Sequence, residues 1–229
     1  MGPSANGRIL LVEDDDFMCE ALSMGLRSRG FEVEARADGL NVEEVVSSFR
    51  PEVLILDLNL ASGPDGVSIA RRIRNGSRAG VMFISGSRQL DDRLAGFAAG
   101  GDDFLVKPFS MEEFFARVEA IRRRAEPMVD VTEAGDVVID AAAHRVTRAG
   151  HQLALTPVEF SLLSTLCGSP GRVFSKVQLL DLVWGYDRFD VNLVEVHIHA
   201  IRQKLEQHGP RVIHTVRGIG YVLREEEAA

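Results

Sequence analysis

Cysteine is nearly missing from this chain: 229 residues contain two, Cys19 and Cys167, far apart and outside any CxxC pair. That spacing excludes both a disulfide framework and a thiolate zinc site, and leaves the two as small core residues. No apolar run approaches the roughly 20 residues that a membrane-spanning helix needs. The start, Met1 to Gly7, is polar and has no signal-peptide core, and Asn6 stands where an N-myristoylation pattern wants Ser or Thr. A soluble cytoplasmic protein with no membrane partner is expected. An excess of basic charge is also lacking, since the net charge is −8, so nothing general draws the chain to nucleic acid. Disorder is excluded in turn, because 45% hydrophobic and 26% charged residues supply an ordinary globular core.

The length suits two domains. All six histidines (His144, His151, His197, His199, His208 and His214) fall beyond Glu126, so the two parts differ in chemistry. In the first, Ile9–Val12, Val53–Leu56, Val81–Ile84 and Phe104–Val106 are short apolar runs without polar alternation, as strands buried on both faces read. Phe31–Ala35 is a weaker fifth. Between them apolar residues recur at helical spacing, as in Phe17, Ala21, Leu22 and Leu26, or Phe114, Phe115, Val118 and Ile121. Five βα units predict a doubly wound, five-stranded parallel sheet of the α/β class, with its ligand site at the carboxyl ends of the strands.

Those ends carry Glu13-Asp14-Asp15-Asp16, Asp57, Ser85 and Lys107-Pro108. Carboxylates converging on one sheet edge repel unless a hard divalent cation neutralises them, and oxygen-only ligands suit Mg²⁺. A lysine and a hydroxyl beside them complete a phosphate site, in which a carboxylate can attack phosphorus and form an acyl phosphate. Taken alone, the acidic run at 13–16 also fits a solvated helix N-terminus. Asp57 does not, because a buried strand lies directly before it. A haloacid-dehalogenase-type phosphatase would want a second Asp two residues after the nucleophile, where Asn59 stands.

Ile-Leu-Leu-Val-Glu-Asp-Asp at 9–15, Asp57-Leu-Asn-Leu, Ile84-Ser-Gly and Gly101-Asp-Asp-Phe-Leu-Val-Lys-Pro-Phe109 resemble a response-regulator receiver domain. The resemblance implies that Asp57 accepts a phosphoryl group from a sensor histidine kinase. It further implies that Asp14 binds Mg²⁺ directly, with Glu13 assisting and Asp57 and the backbone carbonyl of Asn59 as further ligands. Ser85 and Phe104 match the hydroxyl and aromatic that rearrange on phosphorylation, and Lys107 the phosphate-binding lysine. Two departures follow Asp57: Ala61 replaces the usual proline, and Asp65-Gly66 come one residue late, so the loop over the site is longer. The resemblance also implies dimerisation on phosphorylation, pairing Arg93 with Glu113, Asp103 with Arg117 and Asp102 with Arg124 across the fourth and fifth helices and fifth strand.

Arg122-Arg-Arg-Ala-Glu-Pro127 closes the last helix of the first part. Beyond it, Val137–Ile139, His144–Thr147 and Gln152–Leu155 read as short antiparallel strands. Thr156-Pro157 starts a helix reaching Gly168, Ser175 caps a second to Trp184, and Asn192–Gln207 is a third. Ile213–Arg217 and Tyr221–Leu223, joined by Gly218-Ile-Gly220, form a hairpin. This α+β plan is a winged helix-turn-helix, whose last helix enters a DNA major groove. Leu155-Thr-Pro-Val-Glu-Phe160, Val194-Glu-Val-His-Ile198, Arg202 with Leu205, and Thr215-Val-Arg-Gly-Ile-Gly-Tyr221 resemble the OmpR/PhoB effector domain. The resemblance implies DNA contacts from His197, His199, Arg202, Thr215 and the wing Arg217, with Arg202 a candidate guanine reader. Glu159 and Trp184 read as structural.

The expectation is a receiver domain over 7–125, a linker over 126–134 and a winged helix-turn-helix over 135–225. Together they make a non-enzymatic, phosphorylation-switched transcription regulator. Double-stranded promoter DNA, a sensor kinase, a second copy of the chain and RNA polymerase are the implied partners. The alternative is a phosphorylation-independent regulator or receiver-based adaptor with weak DNA binding, because His199 and Ala200 occupy slots that often hold Arg.

Overall fold

The four apolar runs become four adjacent strands of a parallel sheet. In this computed structural model, which describes residues 6–74, 77–87, 89–125, 131–185 and 192–224 (backbone alone at 90, 124 and 125), the chain divides into two units, Met1–Ala125 and Glu126–Ala229. The first contains β1 (Arg8–Val12), α1 (Asp16–Ser28), β2 (Glu32–Arg36), α2 (Val42–Phe49) and β3 (Val53–Asp57). It continues with α3 (Gly66–Ile73), β4 (Gly80–Ser85), α4 (Leu90–Ala98), β5 (Asp103–Val106) and α5 (Met111–Ala125). The strand order is β2-β1-β3-β4-β5, with every pairing parallel. Val12 lies opposite Leu56, and Asp57 opposite Ile84, so the residues that end β1, β3 and β4 leave the sheet side by side.

Alternate strand residues face opposite sides. On one side Ile9, Leu11, Val53, Ile55, Met82, Ile84 and Leu105 join Leu22 and Leu26 of α1 and Phe114, Val118 and Ile121 of α5 in one buried cluster. The spacing of 114, 118 and 121 is a single helical stripe. Each large side chain so buried contributes about 2 kcal/mol. Asp15 caps α1 by accepting from the Met18 N–H at 2.8 Å, and Asp65 caps α3 through the Ser68 N–H at 2.6 Å.

Among its described residues the second unit has two antiparallel sheets and three helices. The first sheet runs β6-β7-β8-β9: β6 (Val131–Ala134), β7 (Val137–Asp140), β8 (Arg145–Arg148) and β9 (His151–Leu153). The helices are α6 (Pro157–Cys167), α7 (Lys176–Trp184) and α8 (Asn192–Leu205). The second sheet runs β10-β12-β11: β10 (Phe174–Ser175), β11 (Ile213–Val216) and β12 (Gly220–Leu223). At Gly220 a Cβ would lie 1.9 Å from the Phe174 carbonyl oxygen, so only glycine lets β12 approach β10. Capping boxes start α6 (Thr156 with Glu159) and α7 (Ser175 with Gln178). Arg148, fully buried, ties β8 to the other layers: it binds Asp136 at 3.2 Å, the Leu205 carbonyl at 2.8 Å and the Pro210 carbonyl.

Two strands lie outside the sequence expectation. β6 occupies 131–134 of the stretch expected as linker, the rest of which lies outside the described residues. It is an edge strand with Val131 63% exposed, so it lacks the apolar alternation that marks a strand. β10 has two residues, too few for any periodicity. Among the described residues no helix is long and apolar enough to cross a membrane.

Candidate functional sites

The acidic run at the end of β1 divides in two. Asp15 caps α1 and Asp16 lies in its first turn, whereas Glu13 and Asp14 turn toward β3. One oxygen from each of Glu13, Asp14 and Asp57 falls within 4.8 Å of the others. Glu13 is 1% exposed, Asp57 6% and Ser85 0%, so these groups sit at the floor of the strand ends. The Lys107 ammonium, carried past the end of β5, donates to Glu13 Oε1 at 2.8 Å and Oε2 at 2.9 Å, and to Asp57 Oδ2 at 2.6 Å. Asp57 Oδ1 accepts from the Asn59 N–H at 2.8 Å. Asp14 Oδ2 accepts from the Ala61 N–H at 2.9 Å. Ser85 Oγ accepts from the Ser87 N–H at 3.0 Å.

The charges explain the titration. Burial pushes the Glu13 carboxyl up, helped by nearby Asp57 and opposed by Lys107. Burial works to lower Lys107, but its hydrogen bonds to Asp57 and Glu13 outweigh burial and hold the ammonium above its ordinary value. Three clustered carboxylates with one ammonium retain two negative charges. All candidate donors are hard oxygens, so the donor set fits a divalent cation such as Mg²⁺.

Asp57 backs directly onto α3. A Cβ at Gly66, the first residue of α3, would lie 2.3 Å from the Asp57 carbonyl oxygen, so the later position of Asp65-Gly66 is where the lengthened loop re-enters the fold.

Phe104 is buried, 6.3 Å from the ring of Phe97, with the Arg93 guanidinium 6.0 Å over its face. The expected intermolecular charges are partly engaged within the chain. Arg117 binds Asp103 and Glu113, both at 2.8 Å. Asp102, expected opposite Arg124, has no exposed surface; it accepts from the Val81 N–H at 2.8 Å and pairs with Arg74 at 2.5 Å. It is a strut joining the start of β5 to β4 and α3, which corrects its assignment to the outer surface. The Arg124 side chain lies outside the described residues.

In the second unit α8 buries Leu193, Val194, His197, Ile198, Ile201 and Leu205. His197 falls on this inward stripe, 1% exposed and with its ring 5.7 Å from that of Trp184. Its assignment to a DNA contact is therefore corrected: helical spacing places it in the core. His199, Thr215 and Arg217 are exposed. Arg202 turns to its own hairpin, donating from Nε to the Ile213 carbonyl at 2.9 Å and from Nη2 to Thr215 Oγ1 at 2.9 Å, with Tyr221 beneath it at 5.5 Å. Glu159 is buried, closes the α6 capping box and pairs with Lys204 of α8, and Trp184 is fully buried. Lys176 and Glu195 join the starts of α7 and α8.

Sequence reasoning missed the Ala61 N–H, Arg74 and Arg148. Only Ala61 carried a signal, as the residue standing where a proline was expected.

Residues 9–119 match the response regulator receiver domain family, and 150–223 match the family described as transcriptional regulatory protein, C terminal. The DNA-binding response regulator MtrA of Mycolicibacterium smegmatis is 39% identical over 218 residues, 93% of this chain and 95% of that protein. The response regulator MprA of Mycobacterium avium is 38% identical over 225 residues, 95% of this chain and 98% of that protein. A solved RitR mutant matches with a TM-score of 0.79 at 28% identity, covering 96% of this chain and all of that one. DrrB of Thermotoga maritima, an OmpR/PhoB homologue, matches with a TM-score of 0.51 at 29% identity over 95% of this chain and 99% of its own. With a receiver, a transcriptional regulatory C-terminal domain and relatives of this similarity along nearly its whole length, the chain belongs to the OmpR/PhoB family of two-component response regulators.

Proposed function

We propose that Asp57 accepts a phosphoryl group from a sensor histidine kinase and that this modification promotes dimerisation and sequence-specific binding to promoter DNA, regulating transcription. The observation that carries the reading is the Lys107 ammonium bridging Glu13 and Asp57 at the carboxyl edge of a parallel sheet. An Asp57 carboxylate oxygen attacks phosphorus, the bond to the donor nitrogen breaks with its electron pair leaving on nitrogen, and an acyl phosphate forms. Lys107, already on Asp57, neutralises the incoming phosphoryl oxygens, and Ser85 lies beside them as a hydroxyl donor. Glu13, Asp14, Asp57 and the Asn59 carbonyl would hold Mg²⁺, which when bound supplies charge for the transferring phosphoryl group.

Among residues proposed to face DNA, His199 on α8 and Thr215 and Arg217 on the hairpin are exposed, while Arg202 supports the hairpin that carries the latter two. The test is incubation with acetyl phosphate and Mg²⁺ followed by intact-mass measurement. Wild type should gain one phosphoryl group and Asp57→Ala none; equal labelling of the variant overturns the assignment.

A further inference from the structure

The loop between β3 and α3, residues 58–65, is the part of the site that departs furthest from the receiver pattern. It is one residue longer, and Ala61 replaces a proline. A proline has no N–H. Here the Ala61 N–H donates to Asp14 Oδ2 at 2.9 Å, across 47 positions of sequence. The loop is fastened elsewhere too. Gly39, beyond β2, donates its N–H to the Ser62 carbonyl at 3.2 Å, and Gly66 donates to the Leu58 carbonyl at 3.3 Å. Asp65 caps α3 through the Ser68 N–H. The Ala61 amide is therefore held in place by its surroundings, and is not a dangling group that happens to meet a carboxylate.

Asp14 has two carboxylate oxygens. With Oδ2 hydrogen-bonded to the loop, rotation of the carboxylate is restrained, and one carboxylate oxygen of Asp14 lies within 4.8 Å of oxygens of Glu13 and Asp57, where a cation would be shared. A carboxylate that accepts a hydrogen bond from a group outside the ligand set is oriented by it, and loss of such a support costs about 10- to 100-fold in metal affinity. We infer that Ala61 is a positioning residue whose main-chain N–H orients Asp14 for divalent-cation binding and ties the lengthened loop to occupancy of the cation site. This deepens the proposed function and rests on its reading of Glu13, Asp14 and Asp57 as the cation ligands.

The full-length chain is titrated with Mg²⁺ by isothermal calorimetry, as wild type, Ala61→Pro and Ala61→Gly. In parallel, phosphorylation by acetyl phosphate is followed across Mg²⁺ concentrations. Because the bond is partly solvent-exposed, Ala61→Pro should fall at the low end of the range, about tenfold weaker. Ala61→Gly, which keeps the N–H, should stay within about twofold of wild type on the same reasoning. The phosphorylation rate of Ala61→Pro should need correspondingly more Mg²⁺ to half-saturate but reach the wild-type plateau, which damage to Asp57 itself would not allow. Unchanged or tighter Mg²⁺ binding by Ala61→Pro overturns the inference, as does a lowered plateau without a shift in Mg²⁺ dependence. Wild type that fails to bind Mg²⁺ overturns the cation reading of the site. If Ala61→Pro does not fold, amide hydrogen exchange decides: protection of the Ala61 N–H should be lost in Asp14→Ala, and protection unchanged from wild type overturns the proposal.

Discussion

Cys167 shows how far burial alone moves a titratable residue. It lies on the inner face of α6, 1% exposed, and burial pushes its thiol up to about 12 from an ordinary 9.0. The unfolded chain therefore loses this proton near pH 9 while the folded chain keeps it, so from about pH 9 to about pH 12 the unfolded state binds fewer protons and stability falls as pH rises. Replacing the thiol with Cys167→Ala removes this dependence. In urea unfolding between pH 8 and 11, the advantage of wild type over the variant should shrink by about 1.4 kcal/mol per pH unit above 9. The same residue-by-residue view shows what sequence could and could not reveal. That Asp57 and Lys107 meet at one sheet edge was legible because each stands at the end of a buried strand whose direction fixes where it points. The Ala61 contact was not, because a main-chain N–H is common to nearly every residue and only the fold decides what it meets. His197 misled because its position matches a DNA-contacting slot of the resembled effector domain, whereas its helical phase with Val194, Ile198 and Ile201 places it in the core.

The elements were legible where their ends carried chemistry. Thr156-Pro-Val-Glu159 announces α6, and both halves of its capping box are formed. Thr156→Ala removes the side-chain acceptor for the Glu159 N–H and should lower the stability of the second unit by about 1 kcal/mol, while Thr156→Ser should leave it nearly unchanged. Chemical denaturation followed by the fluorescence of Trp184, the chain's single tryptophan, checks both. β6 and β10 stayed hidden for the converse reason. Each is defined by its partner, β6 by Val137–Asp140 and β10 by Gly220–Tyr221, and pairing to a neighbouring strand leaves no mark on a segment too short or too exposed to alternate. In α5 the spacing gave the buried stripe correctly, but it could not show that Arg117 would fold back onto Asp103.

For the whole molecule, the internal pairing of Arg117 and the burial of Asp102 narrow the proposed dimer surface. Arg93 on α4 and Glu113 on α5 retain partial exposure, Glu113 while also holding Arg117, and in the proposed dimer would serve a symmetry-related copy, where each contact occurs twice. Arg93→Glu should abolish the phosphorylation-dependent dimer in sedimentation velocity, and adding Glu113→Arg should restore it by exchanging the charges. Persistence of the dimer in the single variant would place the interface elsewhere. The bond from Arg202 to Thr215 has a consequence for the energetics of recognition. It joins α8 to the β11–β12 hairpin within the chain itself. If the unit docks on DNA as proposed, a wing already tied to its helix has less rotational freedom to surrender than a loose one. Under that proposal, selectivity among operators would rest on how well the angle set between helix and wing matches the local width of the grooves.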